Sequence, residues 1–246
     1  MKGLILANKL IKCWICGDTA NSGEHMVKQT DFKQVFNIVN QQEPIISREN
    51  GEIKNRNIQS CKSNHLKFKN EICEKCNNQL TQPYDRSWEK LSAYLHTNWT
   101  EIKIKKKFNL REIFGDNFKQ DILNVHLFFV KILGCIVEEE KSREHEEESV
   151  IIDTKQLAKS ILENIECDNI YISFRDTKYN KSKEYVGLYL DQNYNENYVF
   201  VLYMIGDIIV NIIFSKVNNK KALNNAQKPS EIKEIINLVE YVGIDE

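Results

Sequence analysis

Lys12 to Gln29 reads KCWICGDTANSGEHMVKQ, and Glu71 to Asp85 reads EICEKCNNQLTQPYD. Each stretch holds two cysteines with two residues between them, Cys13 with Cys16 and Cys73 with Cys76, and 56 residues separate the pairs. That spacing lets both sulfurs of a pair turn toward one ion. Four thiolates close a tetrahedron and leave no position for water, so the donor set selects structural Zn2+ over a catalytic one. The apolar start, MKGLILANKLIKC, is too short for a secretory signal, and the reading expected is a cytoplasmic, reducing setting. Paired cysteines there bind metal more often than they oxidise, and an odd total of 7 Cys agrees. A redox Cys-x-x-Cys would need βαβ surroundings, which the pattern lacks. Cys61 and His65 read as a free thiol and a loop residue, with a substitute ligand or a second ion as the alternatives.

Between and beside the cysteines stand Glu24, His25 and Asn77. Hydrolysis of a phosphodiester needs a base for water, a cation on the phosphate oxygens and support for the departing oxygen. An imidazole is a neutral acceptor near pH 7. A carboxylate and an amide oxygen are the hard donors that suit Mg2+. Neighbours on a strand point to opposite faces, so Glu24 and His25 share one phosphate only if the backbone bends or the side chains reach around. Asn77 follows the last zinc thiolate directly, which ties it to the staple.

Taken together, CWIC, EH and CEKCNN resemble the HNH endonuclease superfamily with its ββα-metal, treble-clef core, in the zinc-bearing branch with two Cys-x-x-Cys pairs. The resemblance covers residues 10–95. It implies a DNA endonuclease with His25 as general base, and Glu24 and Asn77 holding a catalytic Mg2+ or Mn2+. Glu24 stands where the family usually has Asp. Asp85 stands where it often has His, as a third ligand or as a group that orients one. The alternatives from other classes are a treble-clef module that binds nucleic acid without cutting it, and a nuclease effector of a bacterial defence system restrained by a partner.

Charge is divided unevenly: residues 1–108 hold 18 Lys/Arg against 11 Asp/Glu, and residues 109–246 hold 16 against 24. A basic half suits nucleic acid, with Lys28, Lys33, Lys62, Lys67, Lys69, Lys75, Lys103 and Lys105 to Lys107 as phosphate contacts. The IKIKKK lysines serve equally well as guards of an edge strand. No apolar run of about 18 residues stands out, so no membrane partner is expected.

The fold class expected is α+β. A zinc-stapled ββα-metal domain at 1–108 precedes a small antiparallel sheet with packed helices at 109–246, assigned to regulation, oligomerisation or partner docking. Helices are predicted from the second cysteine pair, over 85–98, 117–139 and 154–165, and from an N-cap at Ser230. Strands are predicted in WTEIKIKKKF, NIYISF and YVGLYL, and in a hairpin turning at Gly206-Asp207; NQQEPIISRENGEIKNRN reads as a loop or short hairpin, and EEEKSREHEEE as a solvated helix end or loop. Cys135 reads as core.

Overall fold

A single torsion opens the fold. Gly17 sits at φ +83, where a side chain is strained even though a Cβ would touch nothing. The turn it makes pairs Lys12 with Thr19 and brings the Gly17 N–H to the Cys13 carbonyl at 2.8 Å. The computed structural model describes residues 11–36, 45–49, 52–69, 71–143, 152–176, 186–190, 198–217, 223 and 225–239. After the turn the chain runs out through Ser22 and His25, which bridge antiparallel to Ile72 and Lys67. Between these two extended runs lie helix α1 (Gln29–Phe36) and a hairpin of β1 (Ile45–Glu49) and β2 (Glu52–Ile58). The hairpin agrees with the sequence reading.

The second cysteine pair leads into one π-helical turn, Cys76–Leu80, closed by Thr81 N–H to the Cys76 carbonyl at 3.1 Å. Helix α2 (Gln82–Lys105) continues from it with Pro83 in its first turn, where a missing N–H costs nothing. Tyr84, Trp88, Leu91, Leu95, Trp99 and Ile102 recur at steps of three and four and are all buried. That stripe corrects the strand expected at Trp99 to Phe108, since the helix runs through Lys105. In a strand, Ile102 and Ile104 would share a face. Here Ile102 is buried and Ile104 is 80% exposed. Lys106, in left-handed conformation at φ 55, ends the helix.

Strand β3 (Lys107–Asn109) and the short helix α3 (Leu110–Phe114) follow, the helix capped by the Asn109 side chain accepting from Arg111 N–H at 2.9 Å. Helix α4 (Phe118–Arg143) is the central element. Leu110–Ser142 is long and apolar enough to cross a membrane by composition, but most of its apolar window is buried inside the fold, as a core helix is. Helix α5 (Thr154–Glu163) starts on an Asp153 cap. Then come β4 (Ile170–Asp176), β5 (Val186–Leu190), β6 (Tyr198–Ile205), β7 (Ile208–Ser215) and β8 (Ile235–Asn237). Four of these form an antiparallel sheet in the order β4–β7–β6–β5, with β6 and β7 joined at Gly206, φ +57. Residues 138–143 of the acidic stretch end α4, and residues 144–148 lie outside the described residues.

The helix expected from Ser230 does not form. Pro229–Glu231 makes one 3-10 turn, closed when the Glu231 carboxylate accepts Lys228 N–H at 3.0 Å. Ser230 is engaged elsewhere, its N–H and hydroxyl both donating to Glu166. Beyond it Ile236 is buried and Ile235 exposed, the alternation of a strand, and β8 pairs with β3 so that Ile236 faces Phe108. Backbone groups of β3 that would otherwise lack partners decide the outcome.

The chain is therefore α+β, with three antiparallel sheets and five α-helices among the described residues. The expected 108/109 boundary falls inside β3. One hydrophobic cluster takes residues from both sides of it. At its centre the Trp88 ring of α2 meets Phe128 and Phe129 of α4 and Tyr203 of β6, with centroids 4.8 to 5.5 Å apart. Near the cysteine turn, the Trp14 ring packs against Gly134 of α4; a Cβ there would come within 2.3 Å of the ring. Gly134→Ala is expected to push Trp14 off α4 and to cost about 2 kcal/mol, read as a lower urea midpoint at unchanged slope.

Candidate functional site

The four cysteine sulfurs of Cys13, Cys16, Cys73 and Cys76 all lie within 4.8 Å of one another, and Cys16 Sγ is 3.6 Å from Cys73 Sγ. Zn–S bonds of about 2.3 Å in a tetrahedron put sulfurs about 3.8 Å apart, so the cluster fits zinc. Cys76 N–H points at Cys73 Sγ at 3.4 Å, the kind of donor that steadies a thiolate. Burial, first, and the Cys73 and Cys13 sulfurs push the Cys16 thiol up to about 11 against the Asp18 backbone and Cys76, a penalty that a divalent cation removes. Cys61 is a buried free thiol and His65 an exposed residue on a 3-10 turn, both outside the cluster. Cys135 is fully buried core.

The staple joins the outgoing run to the helix start. Asn21 Oδ1 accepts from Glu74 N–H at 2.9 Å, and Asn77 Nδ2 donates to Ser22 Oγ at 2.9 Å. Asn77 is thus held as its place after Cys76 implied, beside the start of the run that carries Glu24 and His25.

Glu24 and His25 then part company, as strand alternation requires. Glu24 turns inward and is 4% exposed. Its Oε2 lies 3.2 Å from the ammonium of Lys131, a residue of α4 with no exposure at all. The same ammonium is 2.7 Å from Asp85 Oδ1 and donates to Thr81 Oγ1 at 3.4 Å. Asp85 also meets Lys28 at 3.3 Å, and Lys28 reaches Glu89 at 3.4 Å. Burial alone would lower the Lys131 ammonium, but Glu24 and Asp85 outweigh it and push it up, so it stays charged. Burial pushes the Glu24 carboxyl up against the pull of Lys131.

His25 is half-buried on the other side. Its Nε2 lies 3.0 Å from the Gln29 side-chain nitrogen, and a Cys61 backbone group bonds to the ring. With Gln29 donating to Nε2, the remaining nitrogen carries the proton toward that carbonyl, which leaves Nε2 as the acceptor. Burial first, then the ammonium groups of Lys67, Lys28 and Lys131, lower the imidazole to about 4. It is neutral at pH 7.

A divalent ion on Glu24 is a poor fit to these residues. Placed about 2.1 Å from Oε2, it would stand about 5 Å from the Lys131 ammonium, a repulsion of about 6 kcal/mol at an effective dielectric of about 20. Glu24 and Asp85 are brought together, but around a lysine; Asn77 has its own partner in Ser22, and His25 has Gln29.

Lys131 is the residue that sequence reasoning missed. Its signal is a lone charge inside FFVKIL, where an unpaired ammonium could not be buried. Of the lysines expected to meet phosphates, Lys33, Lys62, Lys69, Lys75, Lys106 and Lys107 are exposed and Lys67 is half-buried beside His25. Lys103 is paired with Asp176 and Asp207, and Lys105 with Glu101.

No protein-family model, curated protein or solved structure matches the chain.

Proposed function

We propose that the chain is a zinc-stapled phosphodiesterase of the HNH kind, acting on nucleic acid and on DNA first, with His25 as its base. One observation carries the reading: a neutral, half-buried imidazole, oriented through both nitrogens, stands among ammonium groups on a scaffold that a four-cysteine cluster holds. Lys67 and Lys28 supply positive field for a phosphate beside Nε2. A water taking the place of the Gln29 amide at Nε2 would hand its proton to the ring as it attacks phosphorus, while the P–O bond opposite breaks and its oxygen takes a proton from solvent. A pKa near 4 keeps Nε2 free of a proton at pH 7 but makes it a weak base, and an arriving phosphate anion offsets this by drawing it upward. The Asn77 carbonyl oxygen, fixed through its own amide on Ser22, is a neutral acceptor at the helix start.

The test is cleavage of plasmid and single-stranded DNA by zinc-loaded protein. His25→Ala is expected to lose about a thousandfold in rate with zinc content unchanged. Equal cutting by the variant would remove His25 from the chemistry.

A second reading, a module that binds nucleic acid without cutting, is favoured by the sealing of Glu24 behind Lys131. It expects salt-dependent DNA binding by wild type and His25→Ala alike, and cutting by neither.

A further inference from the structure

Five charged groups converge between the zinc scaffold and α4: Glu24, Asp85, Glu89, Lys28 and Lys131. Lys28 sits at the rim, its side chain 16% exposed, and serves Asp85 and the more exposed Glu89. Lys131 is different. Its ammonium is wholly enclosed, touches one oxygen of Glu24 and one of Asp85, and completes its shell with the Thr81 hydroxyl and the face of Phe128 at 5.6 Å. Three oxygens from three residues around a buried positive centre is the environment of a bound cation, here delivered on a side chain from the other half of the chain. Thr81 is held in turn by its hydroxyl donating to the Cys76 and Asn77 carbonyls, so the ring of donors is anchored to the zinc scaffold.

We propose that Lys131 is the resident cation of the Glu24–Asp85 pair, standing where a divalent ion would otherwise sit, so that this pair takes neither Mg2+ nor Mn2+ while the lysine is present. A metal ion and an enclosed ammonium cannot share Glu24 Oε2, and Lys131 has no exposed surface. The exclusion holds whatever the chain does to nucleic acid. Its catalytic consequence, cutting without an added divalent ion, rests on the phosphodiesterase reading.

Binding decides the matter without any cleavage. Zinc-loaded full-length protein is titrated with Mn2+ to millimolar concentration and followed by electron paramagnetic resonance. Wild type is expected to bind none at this pair, Lys131→Met to bind one equivalent, and the double variant Lys131→Met with Glu24→Gln to lose it again. One equivalent bound by wild type and lost in Glu24→Gln overturns the proposal, as does a folded Lys131→Met that binds nothing. Should Lys131→Met not fold, the wild-type ammonium is observed directly: its sheltered 1H–15N signal is expected to stay in place as Mg2+ is added, and its disappearance overturns the proposal. A protein that excludes Mn2+ and cuts nothing defeats the phosphodiesterase reading and leaves this one. A protein that cuts only with Mn2+ on Glu24 does the reverse.

Discussion

Cys73→Ser is expected to lose its zinc and, with it, the cooperative fold of the scaffold. Metal content by mass spectrometry should fall close to zero, and the thermal transition should broaden and drop in temperature. The size of the effect follows from what the ion replaces. The Lys12–Thr19 turn and the second cysteine pair meet through four sulfurs and through the Trp14 N–H on the Glu71 carbonyl at 3.1 Å, with Ile15 and Ile72 buried beside them. Structural zinc contributes about 10–16 kcal/mol to such units, comparable to a whole domain's usual margin of about 5–15 kcal/mol. Cys61→Ser is the control: a buried thiol outside the cluster, it should keep full zinc and lose only a modest amount of stability.

The second large effect belongs to Asp31 of α1. Its carboxylate has no exposure and accepts from Trp88 Nε1 at 2.9 Å, Tyr203 OH at 2.6 Å and Ser92 Oγ at 2.5 Å. Those three donors come from α2 and β6, so one side chain fastens α1 to both halves of the chain. Asp31→Leu strands Trp88 and Tyr203 in the core, while Ser92 falls back on Gln34 at 3.3 Å. At about 1–3 kcal/mol for each buried donor left unpaired, a loss of about 4 kcal/mol is expected in urea unfolding followed by tryptophan fluorescence. Asp31→Asn, which keeps an acceptor oxygen, should lose less. Tyr203 also accepts from the Lys28 N–H at 2.9 Å, so the leucine variant is expected to loosen the segment beside His25.

What could be read in advance sorts by the range of the interaction. Cys13, Cys16, Cys73 and Cys76 were legible because their spacing states the geometry they need. Helix α4 was legible because Ile122, Val125, Phe129 and Ile132 repeat a helical step, and the β6–β7 hairpin because Gly206-Asp207 interrupts a long apolar run. Trp99 to Lys105 failed because two isoleucines among lysines fit a strand as well as a helix; only the buried face of Trp99 and Ile102, supplied by tertiary packing, decides it. The segment after Ser230 failed for the same reason, since its partner β3 lies over a hundred residues earlier. At the site, the division between Glu24 and His25 followed from strand alternation. The destination of Glu24 did not, because nothing near it in the chain names Lys131.

The pairing of Phe108 with Ile236 sets an order of events for the growing chain. Once Phe108 has been made, 128 more residues must follow before its partner Ile236 exists. Until then the backbone of residues 107–109 lacks its partner strand and the Phe108 ring has Phe174 but not Ile236 to pack against, and closing so long a loop comes late. A cysteine scaffold able to assemble early would thus wait on β8, with its downstream seam exposed to other chains and to proteases for the whole interval.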